Sequence, residues 1–148
     1  MNDKILIVDT REKGHKKILE YFKKNNIDFI VSKLEYGDYM IYKNNETVID
    51  RKDSLLELSK NLCNSAEHKR IKKEIQKAKD DGCKNFIFLI AGTKIKTIDD
   101  IKNWSSPYTK VKGETLLKVM ITMTKRYNVR FIITPKRNMG KKIIELLK

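Results

Sequence analysis

The chain has 148 residues, with 33 Lys or Arg against 19 Asp or Glu, which gives a formal net charge of +14 and a pI of about 9.7. This length predicts a single domain that buries its own core, and the charge predicts a polyanionic partner, of which nucleic acid is the commonest. The sequence has no run of ~20 apolar residues that could span a membrane and no signal-peptide pattern. It also has too few Cys and His for a disulfide framework or a zinc site. We therefore expect a cytoplasmic protein with no membrane partner.

Apolar periodicity and turn residues predict six strands and six helices. In chain order, the strands are expected at 4–8, 29–31, 39–42, 47–50, 85–90 and 130–134, and the helices at 15–24, 55–62, 66–79, 98–104, 113–127 and 139–147. Ser54 followed by Glu57 predicts a capping box at the start of the helix 55–62. The order of elements predicts an α/β fold, with a mixed central sheet and helices on both of its faces.

The two strands at 39–42 and 47–50 predict a hairpin with its turn at 43–46, and its ends carry Asp38 and Asp50. Two neighbouring carboxylates can hold a hard divalent cation, and we predict that Asp38 and Asp50 bind it directly. Lys52 lies two residues beyond Asp50, so both side chains point to one face of the strand and Lys52 can orient an attacking water. The alternative interpretation is a surface hairpin with solvated charges.

A second group of charged residues follows the first strand, whose apolar sequence is typical of a buried strand. Asp9, Arg11 and Glu12 stand at its carboxyl end, where ligands collect in open α/β sheets. The alternative role of Asp9 is to cap the helix that follows.

Three segments, read in order, resemble the XPF-type nuclease domain of the PD-(D/E)xK superfamily, which shows V-D-x-R-E, G-D and E-R-K. The matching segments are Val8-Asp9-Thr10-Arg11-Glu12, Gly37-Asp38-Tyr39 and Val48-Ile49-Asp50-Arg51-Lys52. The resemblance implies a restriction-endonuclease-like nuclease fold over residues 1–148, in the compact single-domain version without a helix-hairpin-helix domain. Two positions depart from the pattern: Asp50 replaces the usual glutamate, and Leu56 stands where the family often has an aspartate.

The resemblance also implies a function: Mg²⁺-dependent, structure-selective cleavage of branched DNA such as flaps, forks or junctions, with Mn²⁺ able to substitute. Asp9 and Glu12 are then expected to bind the metal through water or to hold the lysine. Arg11 and Arg51 are expected to steady phosphates or the site itself. Such a protein would work on DNA of the nucleoid in a bacterial or phage-infected cell.

Two other functions remain open at this point. One is a nuclease fold without activity that only binds DNA, which an intact set of carboxylates disfavours and Leu56 favours. The other is a sequence-specific endonuclease of the restriction type, which would use the same chemistry together with base readout.

Two basic segments are candidate DNA contacts. In the helix 66–79, Arg70, Lys73 and Lys77 form a stripe beside the apolar one, which indicates either a face that follows phosphates or a solvated face. Lys110 and Lys112 stand in a segment that also contains aromatic residues, a mixture that suits single-stranded nucleic acid.

The two last helices predict a homodimer. The helix 113–127 carries two apolar stripes, and the helix 139–147 has four apolar residues within five positions, Ile143, Ile144, Leu146 and Leu147. Surplus apolar surface of this kind marks an interface, and a two-fold pairing is the commonest way to bury it. The resemblance implies dimerisation through the same carboxyl-terminal helices.

Overall fold

The computed structural model describes residues 4–12 and 14–148, and its elements follow the predicted order. The strands are β1 (Leu6–Asp9), β2 (Phe29–Ser32), β3 (Tyr39–Ile41), β4 (Asn44–Lys52), β5 (Asn85–Gly92) and β6 (Val129–Pro135). The α-helices are α1 (Lys16–Lys24), α2 (Leu55–Cys63), α3 (Ser65–Asp80), α4 (Gly113–Tyr127) and α5 (Met139–Leu147). Two 3₁₀ helices span Asp99–Asn103 and Lys136–Asn138.

The six strands form one mixed sheet in the order β2-β1-β3-β4-β5-β6. β3 runs antiparallel to both of its neighbours, and the other three neighbouring pairs are parallel. The predicted α/β fold is therefore confirmed, and so is the capping box, because the Ser54 side chain accepts a hydrogen bond from the Glu57 N–H. The predicted turn at 43–46 was wrong. The turn lies at Tyr42 and Lys43, where Lys43 takes a positive φ of 62° and lets β4 begin at Asn44.

Helices cover both faces of the sheet because the central strands are apolar on both faces. In β5, Phe86, Phe88 and Ile90 enter one core, which they share with α2, α3 and α4. The alternate residues Ile87 and Leu89 enter a second core, which they share with α1 and α5. This alternation follows from the period of two along a strand.

The topology brings the carboxyl ends of five strands to one edge of the sheet, since β2 is parallel to β1. β1 and β4 point the same way, since each is antiparallel to β3, and β4, β5 and β6 are parallel. Their carboxyl ends therefore lie side by side, and the motifs that follow β1 and end β4 meet there. Within the part of the chain that the structure describes, none of the helices is long and apolar enough to cross a bilayer.

The two carboxyl-terminal helices lie on opposite faces of the sheet, α4 in the first core and α5 in the second. In α5, Ile143 and Leu147 are buried, and Ile144 and Leu146 pack against the same core, so its own sheet covers most of its apolar surface. In α4, Ile121 remains 45% exposed.

Candidate active site

An open cleft of about 570 Å³ lies at the carboxyl ends of β1 and β4. Of its thirteen lining residues, eight are acidic and four are basic, although the whole chain is strongly basic. We call it the acidic cleft, and its acidic residues are Asp9, Glu12, Glu35, Asp38, Asp50, Asp53, Glu57 and Glu74. All seven residues expected to be catalytic from the sequence line this cleft.

The end of β4 places Asp50 and Lys52 on the same face, as their spacing predicts. Both side chains are buried, and the Lys52 Nζ lies 3.1 Å from the Asp50 Oδ1. Burial alone would lower the pKa of Lys52, but the charge of Asp50 and the hydrogen bond to it outweigh burial and raise that pKa. Lys52 therefore remains an ammonium group, able to donate hydrogen bonds and unable to act as a base at neutral pH.

Asp38 stands immediately before β3 and is tied to β4 by its side chain. Its Oδ2 accepts a hydrogen bond of 2.8 Å from the Arg51 backbone N–H. Burial and, after it, the negative charge of Asp50 raise the pKa of Asp38 well above its ordinary value. Asp38 and Asp50 are therefore close enough to repel each other electrostatically, which is the pairing that the hairpin predicts.

A third carboxylate, Glu74 of α3, joins this pair, and its role was not predicted from the sequence. Its Oε1 accepts a hydrogen bond of 2.7 Å from the Gly37 N–H. Gly37 takes a positive φ of 69°, and a Cβ there would lie 2.3 Å from Val48, so the contact requires glycine at this position. Burial and the charge of Asp50 raise the pKa of Glu74. Its only signal in the sequence is its place between Ile71 and Ile75, next to the buried stripe of the helix.

On the opposite face of β4, Arg51 is surrounded by acceptors. Its Nε and Nη2 donate to the two carboxylate oxygens of Glu12 at 3.0 and 2.8 Å, and its Nη1 donates to Asp53 at 2.6 Å. The buried Tyr39 hydroxyl donates to Glu12 as well. Burial raises the pKa of Glu12, but the hydrogen bonds from Arg51 and Tyr39 outweigh burial and lower that pKa. Glu12, Arg51, Asp53 and Tyr39 are called the arginine network below.

Asp9 and Arg11 hold the segment that leads to Gly37. The Asp9 Oδ1 accepts from the Leu34 N–H at 2.9 Å, and the Arg11 Nη2 donates to the Leu34 carbonyl at 2.7 Å. Within residues 4–12 and 14–148, neither Asp9 nor Glu12 makes a hydrogen bond to Lys52. Arg11 and Arg51 were expected to steady either phosphates or the site itself. Both make contacts of the second kind, because they bind other groups of the protein.

The basic residues predicted to contact DNA differ in their surroundings. Arg70 borders the acidic cleft, where it pairs with Glu67 at 2.9 Å and with Glu74 at 3.6 Å. Lys77 pairs with Glu35 at 3.1 Å. The remaining three are exposed and do not line the acidic cleft: Lys73 on α3, and Lys110 and Lys112 before α4.

The carboxylates of the cleft fit a divalent cation by their chemistry, although the described residues do not form a closed binding site. Within residues 4–12 and 14–148, no three carboxylate, imidazole or thiol groups are already spaced to hold a metal ion. The negative charge of Asp50 helps to raise the pKa values of Asp38 and Glu74, and a bound cation would relieve this repulsion. Mg²⁺ needs only one or two protein carboxylates, because it retains several waters.

Comparisons with known proteins agree with the fold. A model of the ERCC4 domain matches residues 8–147. XPF from Aeropyrum pernix is similar in structure, with a TM-score of 0.71 and 15% sequence identity over 97% of this chain, and the same protein in complex with DNA gives the same values. This chain spans 63% of the length of the archaeal chain. No match was found among the curated proteins.

Proposed function

The chain belongs to the ERCC4 domain family, and from that premise we propose that it is a metal-dependent endonuclease that hydrolyses phosphodiester bonds in branched DNA. One observation carries the proposal: three partly or fully buried carboxylates, Asp38, Asp50 and Glu74, meet the Lys52 ammonium group in an open cleft. Buried charges that are not fully compensated cost stability, and a protein retains them where they perform chemistry.

In this proposal, Asp38 and Asp50 hold Mg²⁺ directly, Mn²⁺ substitutes for it, and Glu74 supports the site through a bound water. When bound, the cation supplies positive charge to the scissile phosphate and makes water a stronger nucleophile. Asp9 was expected to act through water as well. Its hydrogen bond to Leu34 gives it a second task, which is to position the segment that precedes Asp38.

Lys52 is the group of the chain that handles the attacking water. Its ammonium group lies 3.1 Å from Asp50, so it can orient a water beside the proposed metal and stabilise negative charge on the phosphate. The arginine network fixes the backbone of β4 beneath both groups. Asp38 contributes to this because it binds the Arg51 N–H, which couples the metal site to the strand that carries Lys52.

The preference for branched DNA rests on the family and on the archaeal relative that was studied in complex with DNA. The test is cleavage of end-labelled flap, fork, junction and linear substrates, with Mg²⁺ or with EDTA. We expect products only with the metal and faster cleavage of at least one branched substrate. Binding without cleavage of any substrate would favour the inactive DNA-binding module, and equal cleavage of linear DNA at one sequence would favour a restriction-type enzyme.

We also propose that two copies pair around the edge strand β6. Among the described residues, 4–12 and 14–148, no strand pairs with the outer side of β6, and unpaired edges favour association. Between β6 and α4 lies a groove of about 270 Å³ whose lining includes Leu117, Ile121 and Phe131. Because α5 flanks the other face of β6, a pairing there would involve both carboxyl-terminal helices.

Light scattering at micromolar concentration tests the pairing. We expect the mass of a dimer for the natural chain and of a monomer for Ile121→Lys. Pairing would bury the new lysine without an acidic partner, which costs free energy. The control is Ile30→Lys on the other edge strand, where Ile30 is similarly exposed at 41%. A monomeric natural chain would end this part of the proposal without affecting the nuclease activity.

A further inference from the structure

A second cavity, of about 490 Å³, lies at the carboxyl ends of β5 and β6. Its charged lining consists of Lys96, Lys136 and Arg137, and none of its lining residues is acidic. We call it the basic cavity. It opens at the same edge of the sheet as the acidic cleft, because the carboxyl ends of β4, β5 and β6 lie side by side there.

The three cations of the basic cavity differ from those of α3 in one respect. Arg70 and Lys77 of α3 are already paired with acidic side chains. Across residues 4–12 and 14–148, the side chains of Lys96, Lys136 and Arg137 form no hydrogen bond or ion pair. Their positive charge is therefore available to a ligand, whereas part of the positive charge of α3 is neutralised by ion pairs within the protein.

The backbone around the basic cavity is compact, and the charge at the start of α5 is uncompensated. A Cβ at Gly92 would lie 2.5 Å from the Ile95 carbonyl and 2.6 Å from Ile133, so only glycine permits this close approach. α5 begins directly after Arg137 and Asn138, with no side-chain cap and no acidic residue in its first turn. Cations at the amino end of a helix oppose its dipole, and an anion bound beside them would relieve that cost.

We infer that the basic cavity is a second phosphate-binding subsite, which holds the backbone of the same DNA a few nucleotides from the scissile bond. The inference rests on the proposed function, since the acidic cleft has to receive the scissile phosphate. β6 lies two strands from β4, about 10 Å across the sheet. Phosphates of one strand advance about 3.4 Å per nucleotide along the duplex axis, so this separation corresponds to roughly three nucleotides.

The arrangement also explains how a cleft with an excess of acids can receive a polyanion. The scissile phosphate meets carboxylates in the acidic cleft, which repel it unless a cation is present. Positive charge two strands away then supplies the affinity that holds the backbone in place. Phosphate contacts of this kind fix position and carry no base sequence, as expected for an enzyme that reads structure.

The test compares two triple variants that lose the same charge. The first is Lys96→Gln, Lys136→Gln and Arg137→Gln. The control is Lys23→Gln, Lys24→Gln and Arg126→Gln. These three exposed cations lie at the carboxyl ends of α1 and α4, near the amino ends of the strands and away from both cavities. DNA affinity is measured in EDTA over a range of salt concentrations, so that the assay does not depend on cleavage.

We expect the first variant to bind roughly tenfold or more weakly at moderate salt and to lose about two to three units of salt slope, one for each contact. The control should lose less than one unit. Equal slopes for the two variants, with both folded by circular dichroism, would overturn the inference.

A second measurement locates the contact on the DNA. Single methylphosphonate linkages, which lack the phosphate charge, are placed one at a time on either side of the cleaved bond. In the natural chain, one neutral linkage within about five nucleotides of that bond should weaken binding, and in the first variant it should have no further effect. Losses that are identical in the two proteins at every position would contradict the subsite.

Because the salt titration is done in EDTA and needs no cleavage, it separates this inference from the proposed activity. If the natural chain cleaves no DNA but the first variant binds DNA with a smaller salt slope than the natural chain, the subsite is supported and the nuclease activity is refuted. If the natural chain cleaves DNA but the first variant keeps its salt slope, the nuclease activity is supported and the subsite is refuted.

Discussion

The two faces of β4 treat charge in opposite ways. On the face toward α3, Asp50, Asp38 and Glu74 repel one another, and Lys52 is the ammonium group beside them. On the other face, the buried Arg51 has carboxylate partners on two sides. The alternation of side chains along β4 thus separates carboxylates that repel one another, on one face, from a buried cation that is fully paired, on the other. We infer that the first face performs the chemistry and that the second keeps it in place.

The largest effect is expected from Asp38→Asn, which removes a ligand charge and keeps the acceptor for the Arg51 N–H. Cleavage should fall by about 10³-fold or more, equivalent to roughly 4 kcal/mol, while DNA affinity in EDTA changes little. Single-turnover cleavage measures the first quantity and a binding titration the second. Activity within a few fold of the natural chain would refute the site, and Asp50→Asn and Lys52→Ala extend the test to β4.

On the other face, Arg51→Met should lower stability by about 3–5 kcal/mol, because it leaves the buried Glu12 carboxylate without its cation. Urea denaturation measures the change. Arg70→Met is the control, and it should cost about 1 kcal/mol or less, since the Arg70 side chain is 57% exposed. A small loss in both variants would mean that the arginine network does not hold the site.

The same variant gives a pH dependence with a definite sign. Because the folded protein lowers the pKa of Glu12 below its ordinary value of 4.5, the stability that Glu12 contributes is complete above that pH. It is lost as the pH falls through the lowered pKa. The difference in stability between the natural chain and Arg51→Met should therefore be constant near neutral pH and narrow in acid.

Glu74→Gln tests the residue that the sequence did not predict. The amide oxygen can still accept the Gly37 N–H, so the fold is kept while the charge is lost. If Glu74 supports the metal through a water, cleavage should fall by about 10–100-fold, and more Mg²⁺ should be needed for half-maximal rate. Glu67→Gln, two turns earlier on the same helix and away from the cleft lining, should leave both quantities unchanged.

The smallest effect is expected from Tyr39→Phe, which removes one hydrogen bond to a charged partner in the arginine network. Stability should fall by about 1–2 kcal/mol, with little change in the rate of cleavage at saturating Mg²⁺. Thermal unfolding and single-turnover cleavage check the two parts. A large loss of rate without a loss of stability would place Tyr39 on the chemical face.

The fold, and the proximity of Asp38, Asp50 and Lys52, could be predicted because both depend on local patterns. The period of two places Asp50 and Lys52 together, and the hairpin brings Asp38 to them. The turn was misplaced because β4 extends through Asn44 and Asn45, polar residues that are uncommon in strands. The positive φ of Lys43, which makes the shorter turn, has no signal in the sequence.

Long-range contacts between charges could not be predicted in the same way. Glu74 reaches the cleft from α3, 37 residues after Gly37, and nothing in the helix indicates which neighbour it meets. Glu12 is paired with Arg51, 39 residues away, although it was expected to bind metal through water or hold the lysine. A basic stripe was visible on α3, but only the folded chain shows that Lys77 pairs with Glu35, which lies outside that helix.

The most direct test of the account is calorimetric titration of Mn²⁺ into the protein without DNA, for the natural chain, Asp38→Asn and a control, Asp28→Asn. Asp28 is exposed and lies outside the acidic cleft. We predict that the natural chain and the control bind Mn²⁺ and that Asp38→Asn loses most of that affinity. A natural chain that takes up no Mn²⁺, or an Asp38→Asn variant that binds it equally well, would contradict the claim that the carboxylates facing α3 form a metal site.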